Sequence, residues 1–149
     1  MTLEKEIFQE KFKSSKHKAI LNIFYTYNWL YEKHVRELKP YDLTVQQFNI
    51  LRILRGQFPK PASIKLLKQR MIDKMSDVSR LVEKLRVKGL VERSTCSNDR
   101  RNVDVKITEK GLELLSKFDL IDDALQNSIT NLSEPEIENL NHLLDKLRG

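Results

Sequence analysis

Ser76, Ser79, Arg80 and Lys84 recur at spacings of three and four within residues 74–88, and Asn98, Asp99, Arg100 and Arg101 follow as one unbroken run. Hydroxyls and long cations at helical spacing can hydrogen-bond to phosphate oxygens and to base edges. A guanidinium adds a planar fork that matches a phosphate or a guanine with two parallel bonds. The chain holds no Gly-rich phosphate loop, no metal-ligand cluster and no nucleophile–base pattern. Its three histidines, His17, His34 and His142, are far apart and lack an i, i+4 partner. The chemistry on offer is recognition of a polyanion, and no enzyme, metal site or cofactor is expected.

Such groups need elements to aim them. Val78, Leu81, Val82 and Leu85 form one apolar stripe, with Ser76, Arg80, Glu83 and Val87 opposite. Asp73 is placed to cap a helix over 74–88. Asp77, an acid costly to face toward phosphate, is assigned a local capping or pairing role. Gly89 suits the left-handed residue after the last turn. Ser63 can cap a short preceding helix through Met71, which makes a helix-turn-helix. Val91 to Thr95 reads as a strand. Val103, Val105 and Ile107 alternate with Asp104 and Lys106 as a second, around the charged tip SNDRRN. A helix of this kind can enter the major groove of B-DNA while a basic hairpin reaches the neighbouring minor groove. Residues 74–88 are thus the expected recognition helix and 92–107 the wing.

Charge agrees with that placement. The chain of 149 residues carries a net +6, yet residues 60–110 hold 14 basic and 7 acidic residues, so the remainder sums to −1. A positive region confined to one third of a chain is the footprint of a polyanion partner. No apolar run approaches the ~20 residues that span a bilayer. The first residues, MTLEKEIFQEKFKSSKHK, lack the apolar core of a signal peptide. The single Cys96 excludes an intrachain disulfide and fits a reducing compartment. A cytoplasmic protein with no membrane attachment is expected.

The flanks read as helices. Residues 16–38 carry apolar residues at spacings of three and four, and Pro40 ends them; Leu3, Ile7, Phe8 and Phe12 show similar spacing, so that either the helix begins earlier or it has a partner there. Thr44 with Gln47 fits a capping box, and Leu43 with Phe48 its hydrophobic staple, for a helix that stops near Gly56. Thr108 can cap a helix to about Asn131. Ser133 and Glu136 form a second capping box before a helix presenting Ile137, Leu140, Leu143, Leu144 and Leu147. The expected fold is mainly α with a small β-hairpin wing, in the order α1-α2-α3-α4-β-β-α5-α6. Residues 1–149 form one domain, with a DNA-binding lobe at 44–108 and a helical dimerisation region at 1–39 and 109–149. The flanking stripes exceed what a winged lobe of roughly 70 residues can cover, so a second copy of the chain is the expected partner. Phe24, Tyr27, Tyr31 and His34 could line a pocket for a small aromatic or lipophilic effector, although aromatic stripes of this kind more often pack in a core or interface.

The segments SRLVEKLRVKGLVER (79–93) and NDRRNVDVKITEKG (98–111) resemble the MarR family of bacterial transcriptional regulators. The resemblance extends over almost the whole chain. Asp99, Arg101, Ile107, Thr108 and Gly111 fall on the family's wing pattern. It implies a homodimer with interlocked terminal helices, one winged helix-turn-helix lobe per subunit, and repression relieved by a small ligand or an oxidant. It also implies that Arg101 is the wing arginine for the minor groove, oriented by Asp99, with Arg100 and Asn98 on the backbone. Peroxide-sensing members carry a cysteine near the N-terminus; this chain has none there, and its Cys96 lies on the wing. A winged fold that docks protein, or coats DNA without reading an operator, is the alternative that the residues leave open.

Overall fold

A computed structural model of the chain describes residues 2–96, 99–126, 129 and 131–149; the side chains of residues 96, 99–102 and 120–125 lie outside that description. In chain order come α1 (Leu3–Glu6), α2 (Ser15–Leu38), a 3-10 turn (Lys39–Tyr41), α3 (Val45–Gln57), β1 (Ala62–Ser63), α4 (Ile64–Arg70), α5 (Val78–Val87), β2 (Val91–Cys96), β3 (Asp99–Ile107), α6 (Glu109–Gln126) and α7 (Glu134–Arg148). The mainly helical fold with a small antiparallel wing is the one the sequence predicts.

Capping chemistry sets most boundaries. Thr44 Oγ1 accepts from the Gln47 N–H at 3.2 Å, and Gln47 Oε1 accepts from the Thr44 N–H at 3.1 Å. This reciprocal pair satisfies two orphan donors and starts α3 where the sequence expects it. Ser133 and Glu136 do the same for α7. Gly56 does not stop α3, which runs one residue further. The spacing before Lys16 does not lengthen α2. Phe8 adopts a left-handed φ of 53°, so α1 is a single turn folded back along α2. Leu3 is buried there, Lys18 pairs with Glu4, and the Tyr25 hydroxyl donates to Glu6 at 2.6 Å.

Helix α5, expected over 74–88, is shorter than the sequence predicts. It begins at Val78, and Asp77 is its cap, accepting from the Arg80 N–H at 3.1 Å. Asp73 instead closes a separate turn, accepting from the Met75 N–H at 3.0 Å on its side chain. Two aspartates four residues apart each offer a cap, and burial decides between them. Ile72 and Met75 are exposed, whereas Val78 is buried, so only the second start gives the helix an apolar face to bury. At the far end Gly89 takes φ +73°; its N–H donates to the Arg86 carbonyl at 2.9 Å, and the Leu90 N–H to the Leu85 carbonyl at 3.0 Å. These are the paired bonds of a Schellman stop.

The sheet has three strands in the order β1-β3-β2, all antiparallel. Val91 faces Ile107, Arg93 faces Val105 and Thr95 faces Val103, with a bulge between Thr95 and Cys96. Strand β1 is absent from the sequence expectation. Ala62 and Ser63 pair with Val105 and Asp104, and two residues are too few to show a period. Ser63 serves twice, as strand end and as the cap that accepts from the Leu66 N–H.

The core gathers Phe48, Ile50, Leu51 and Leu54 of α3, Leu67, the α5 stripe, Val91, Val105, Ile107, and Leu115 and Phe118 of α6. It runs from Leu38 to Phe118 and so takes in the first half of α6. The flanks stay outside it. Leu38 is the buried residue of α2, and α7 has none. Ile20, Phe24, Tyr27, Leu140, Leu143 and Leu147 are exposed. Among the described residues no helix is long and apolar enough to cross a membrane.

Gly111 closes the lobe. A Cβ there would lie 2.5 Å from the Leu90 carbonyl oxygen and 2.7 Å from Ile107 Cγ1, and neither neighbour is a flexible tip. Gly111→Ala is expected to cost about 1–3 kcal/mol, the range for overpacking. Gly56→Ala, in a helix with nothing within 4 Å, is expected to be neutral or to stabilise by up to ~1 kcal/mol. Urea denaturation of the two variants checks this contrast, and equal effects would refute it.

Candidate nucleic-acid interface

Helix α5 turns Val78, Val82 and Leu85 inward and leaves Ser79, Arg80, Lys84, Arg86 and Val87 exposed. Arg80 and Lys84 are exposed and have no ion pair among the described residues. Ser76, expected on the helix, lies in the turn before it and is half-buried. Asn98 lies outside the described residues. Asp99, Arg100 and Arg101 belong to β3, and their side chains lie outside the description, so their contacts rest on the sequence alone. Exposed Lys65, Lys68, Arg70 and Lys74 continue the positive surface along α4 and the turn after it.

One cluster binds the helix to the wing. Glu83 Oε1 accepts from Arg86 Nη2 at 2.8 Å and from Nε at 3.2 Å. Glu83 Oε2 accepts from Arg86 Nε at 3.1 Å and from Arg93 Nη1, on β2, at 3.1 Å. Arg86 first, and then Arg93, holds the Glu83 carboxyl down at about 2, well below the usual carboxylate range. The sequence reading placed Glu83 on the outer face and gave it no partner. Its i, i+3 relation to Arg86 is legible from spacing. Arg93 is not, because its approach depends on the chain reversal at Gly89.

The end of α5 is tied down on the other side as well. Lys88 pairs with Asp42 at 2.8 Å, and this lowers the Asp42 carboxyl below its ordinary value. Lys110 Nζ donates to the Lys88 carbonyl at 2.9 Å, and Thr108 Oγ1 donates to the Gly89 carbonyl at 2.8 Å. A cation and a hydroxyl thus meet carbonyls that the helix end leaves unsatisfied.

A cavity of about 580 Å³ lies between α2, α3 and the turn that leads into α5. Tyr27, Tyr31 and His34 line it from α2, and Phe48, Asn49 and Arg52 from α3. Phe24, grouped with these residues by sequence, is exposed and is not part of the lining. The His34 ring meets Phe48 edge-on at 5.3 Å. The third wall, Met71 to Asp73, is held by side chains of α3: Asn49 accepts from the Ile72 N–H at 3.0 Å and Gln46 donates to Asp73 at 3.4 Å. The same segment therefore borders the cavity and leads into α5.

Comparison with known proteins places this geometry among relatives. The MarR family signature matches residues 43–103. A MarR transcription factor from Planctomyces limnophilus is 27% identical, with a TM-score of 0.71 over 91% of this chain and 98% of that one. Wild-type MarR from E. coli in its apo form is 28% identical, with a TM-score of 0.67 over 84% of this chain and 93% of that one. BpsR of Bordetella bronchiseptica, whose structure addresses regulation of its DNA binding by 6-hydroxynicotinic acid, shares the fold at a TM-score of 0.76 and 23% identity, over 91% of this chain and 94% of that one.

The Glu83 cluster has a pH signature. A carboxylate lowered from 4.5 to about 2 adds stability that is full above 4.5 and is lost as pH falls toward 2. The side chain is 44% exposed, so salt screens the effect. The stability difference between wild type and Glu83→Gln should shrink as pH falls from 5 toward ~2.5, and should be smaller throughout in ~1 M salt. Chemical denaturation at several pH values measures it; a difference independent of pH would mean that the ion pairs contribute nothing.

Proposed function

Because residues 43–103 match the MarR family and MarR transcription factors share the fold over most of the chain, we propose that it is a winged helix-turn-helix regulator of that family and represses transcription as a ligand-responsive homodimer on a pseudo-palindromic operator. The observation that carries the reading is the outer face of α5. Two exposed cations, Arg80 and Lys84, with no ion pair among the described residues, stand there beside the wing strands, in the third of the chain that holds a net +7. In this reading α5 lies in the major groove, where Ser79, Arg80 and Lys84 meet bases and phosphates, and Arg101, oriented by Asp99, enters the adjacent minor groove. Arg100 and Asn98 add backbone contacts, and Ser76 is kept as a contact from the turn before the helix. No step of this work is enzymatic, and the protein acts in the cytoplasm, where its DNA is.

The uncovered apolar faces of α2 and α7 support pairing of two chains, with 1–39 and 109–149 as the dimerisation region around a lobe at 44–108. A dimer presents two recognition helices to half-sites about one helical turn, ~34 Å, apart. The cavity walled by Tyr27, Tyr31 and His34 would take a small aromatic or lipophilic effector. An occupant that pushes on Met71 to Asp73 moves the lead-in to α5 and with it the spacing of the two helices. An effector must bind the two spacings unequally to shift DNA affinity.

Fluorescence anisotropy with the duplex upstream of the protein's own gene and a scrambled duplex, across a salt series, tests the reading. The expected result is a preference of ~10³-fold or more at two subunits per site. Equal, weak, strongly salt-dependent binding would leave an architectural role, and no binding at low salt would refute DNA recognition. Arg101→Ala is expected to weaken binding by ~1–3 kcal/mol and to flatten the salt slope; normal affinity would remove the wing from the mechanism. Deleting residues 132–149 is expected to abolish the dimer in sedimentation, and a stable dimer afterwards would refute that interface.

A further inference from the structure

On the reading that α5 and the wing face DNA, Glu83 is out of place. It lies on the outer half of the helix, one position before Lys84 and three after Arg80. A bare carboxylate there would repel phosphate. Its two oxygens, however, take the Nε and one Nη of Arg86 and one Nη of Arg93. A guanidinium carries five N–H donors. Each arginine therefore keeps donors that the shared carboxylate does not use. Strand β2 is itself fixed, since Arg93 sits opposite Val105 in the ladder to β3. One acid thus fastens a helix cation to a strand cation ten residues later in the chain.

We propose that Glu83 is a positioning residue for DNA specificity: it holds Arg86 and Arg93 as a fixed guanidinium pair and withholds part of their charge from arbitrary phosphates. Non-specific binding is driven by counterion release as free cations neutralise phosphates. Two arginines tied to one carboxylate carry a net +1 in place of +2, and they cannot swing toward whatever backbone is near. A duplex whose phosphates or base edges fall where the remaining N–H groups point meets donors that are already ordered. A duplex of another shape must first break the ion pairs. Direct reading of a cytosine amino group by Glu83 is disfavoured, because both carboxylate oxygens already accept from arginine, one N–H each from Arg86 Nη2 and Arg93 Nη1 and the Arg86 Nε–H shared between them.

The test compares wild type, Glu83→Gln, Arg93→Gln and the double variant on operator and scrambled duplexes across a salt series, with thermal melting to show that each is folded. Glutamine keeps the shape and removes the charge that holds the arginines. The salt slope on scrambled DNA is expected to steepen by about 0.9–1.8, the increment for one or two further phosphates. The operator-to-scramble ratio is expected to fall by roughly 3- to 10-fold, with tighter non-specific binding as the main cause. In the Arg93→Gln background the same change at Glu83 should have a smaller effect, because the pair is already broken. An unchanged slope and ratio in Glu83→Gln would overturn the proposal, as would equal loss on both duplexes or effects that simply add. A wild-type protein with no preference between duplexes would instead sink the interface reading itself, before any variant is compared.

Discussion

The lobe depends on one crowded junction, where the end of α5, the base of the wing and the start of α6 meet around Leu90 and Gly111. The Leu90 carbonyl approaches Gly111 so closely that no side chain fits there. Thr108 uses its hydroxyl in both directions, donating to the Gly89 carbonyl and accepting from the Gly111 N–H at 3.1 Å. Lys110 reaches back to the Lys88 carbonyl. Helix stop, strand end and helix start are thereby locked within a few residues of one another. The angle between α5 and the strands follows from this lock, and so does the reach of Arg93 to Glu83. Arg55, paired with Asp119 at 2.8 Å, carries the same constraint from α6 to α3.

What could be read beforehand was local. Thr44 with Gln47, Ser133 with Glu136, Ser63, Thr108 and Gly89 all act through neighbours within three or four residues, and each does in the structure what its type and spacing imply. Alternation at Val103, Val105 and Ile107 gave the strand and its face. What stayed hidden needed distant partners. Strand β1 exists only because β3 runs beside Ala62, and the choice of Asp77 over Asp73 as cap is settled by what lies beneath Val78. Lys88 finds Asp42 across 46 residues, and Asp42 can receive it because an aspartate tolerates the left-handed φ of 53° found there. Among the site residues, Arg80, Lys84 and Ser79 were legible because exposure on a helix follows from its period. Ser76 was assigned with them because the helix start was set one turn too early.

Burial is distributed unevenly, and this matters for regulation. The lobe carries its own close-packed core, with the Phe118 ring packed at a tilt against Tyr41 at 4.4 Å and Phe48 at 5.2 Å. By contrast α2 has Leu38 as its buried residue and α7 has none. A densely packed lobe on lightly anchored helices can move as a body without losing internal contacts. The cavity lies at that boundary, where α2 meets α3. Its α3 wall and the Met71–Asp73 wall thus belong to the packed lobe, and its Tyr27, Tyr31 and His34 wall to α2.

The short turn α1 bears on how chains can assemble. It borders the side of α2 that carries Asn22, Tyr25 and Trp29, with Leu3 and Glu6 beside them, while Ile20, Phe24 and Tyr27 project from the opposite side and remain open. A helix with two open sides can accept a neighbour on each, and repetition of that contact builds a filament. A helix with one side occupied by its own chain has a single vacancy. The turn held by Glu4 and Glu6 thus leaves α2 one open apolar side, and an isologous contact made through that side alone would close at two copies.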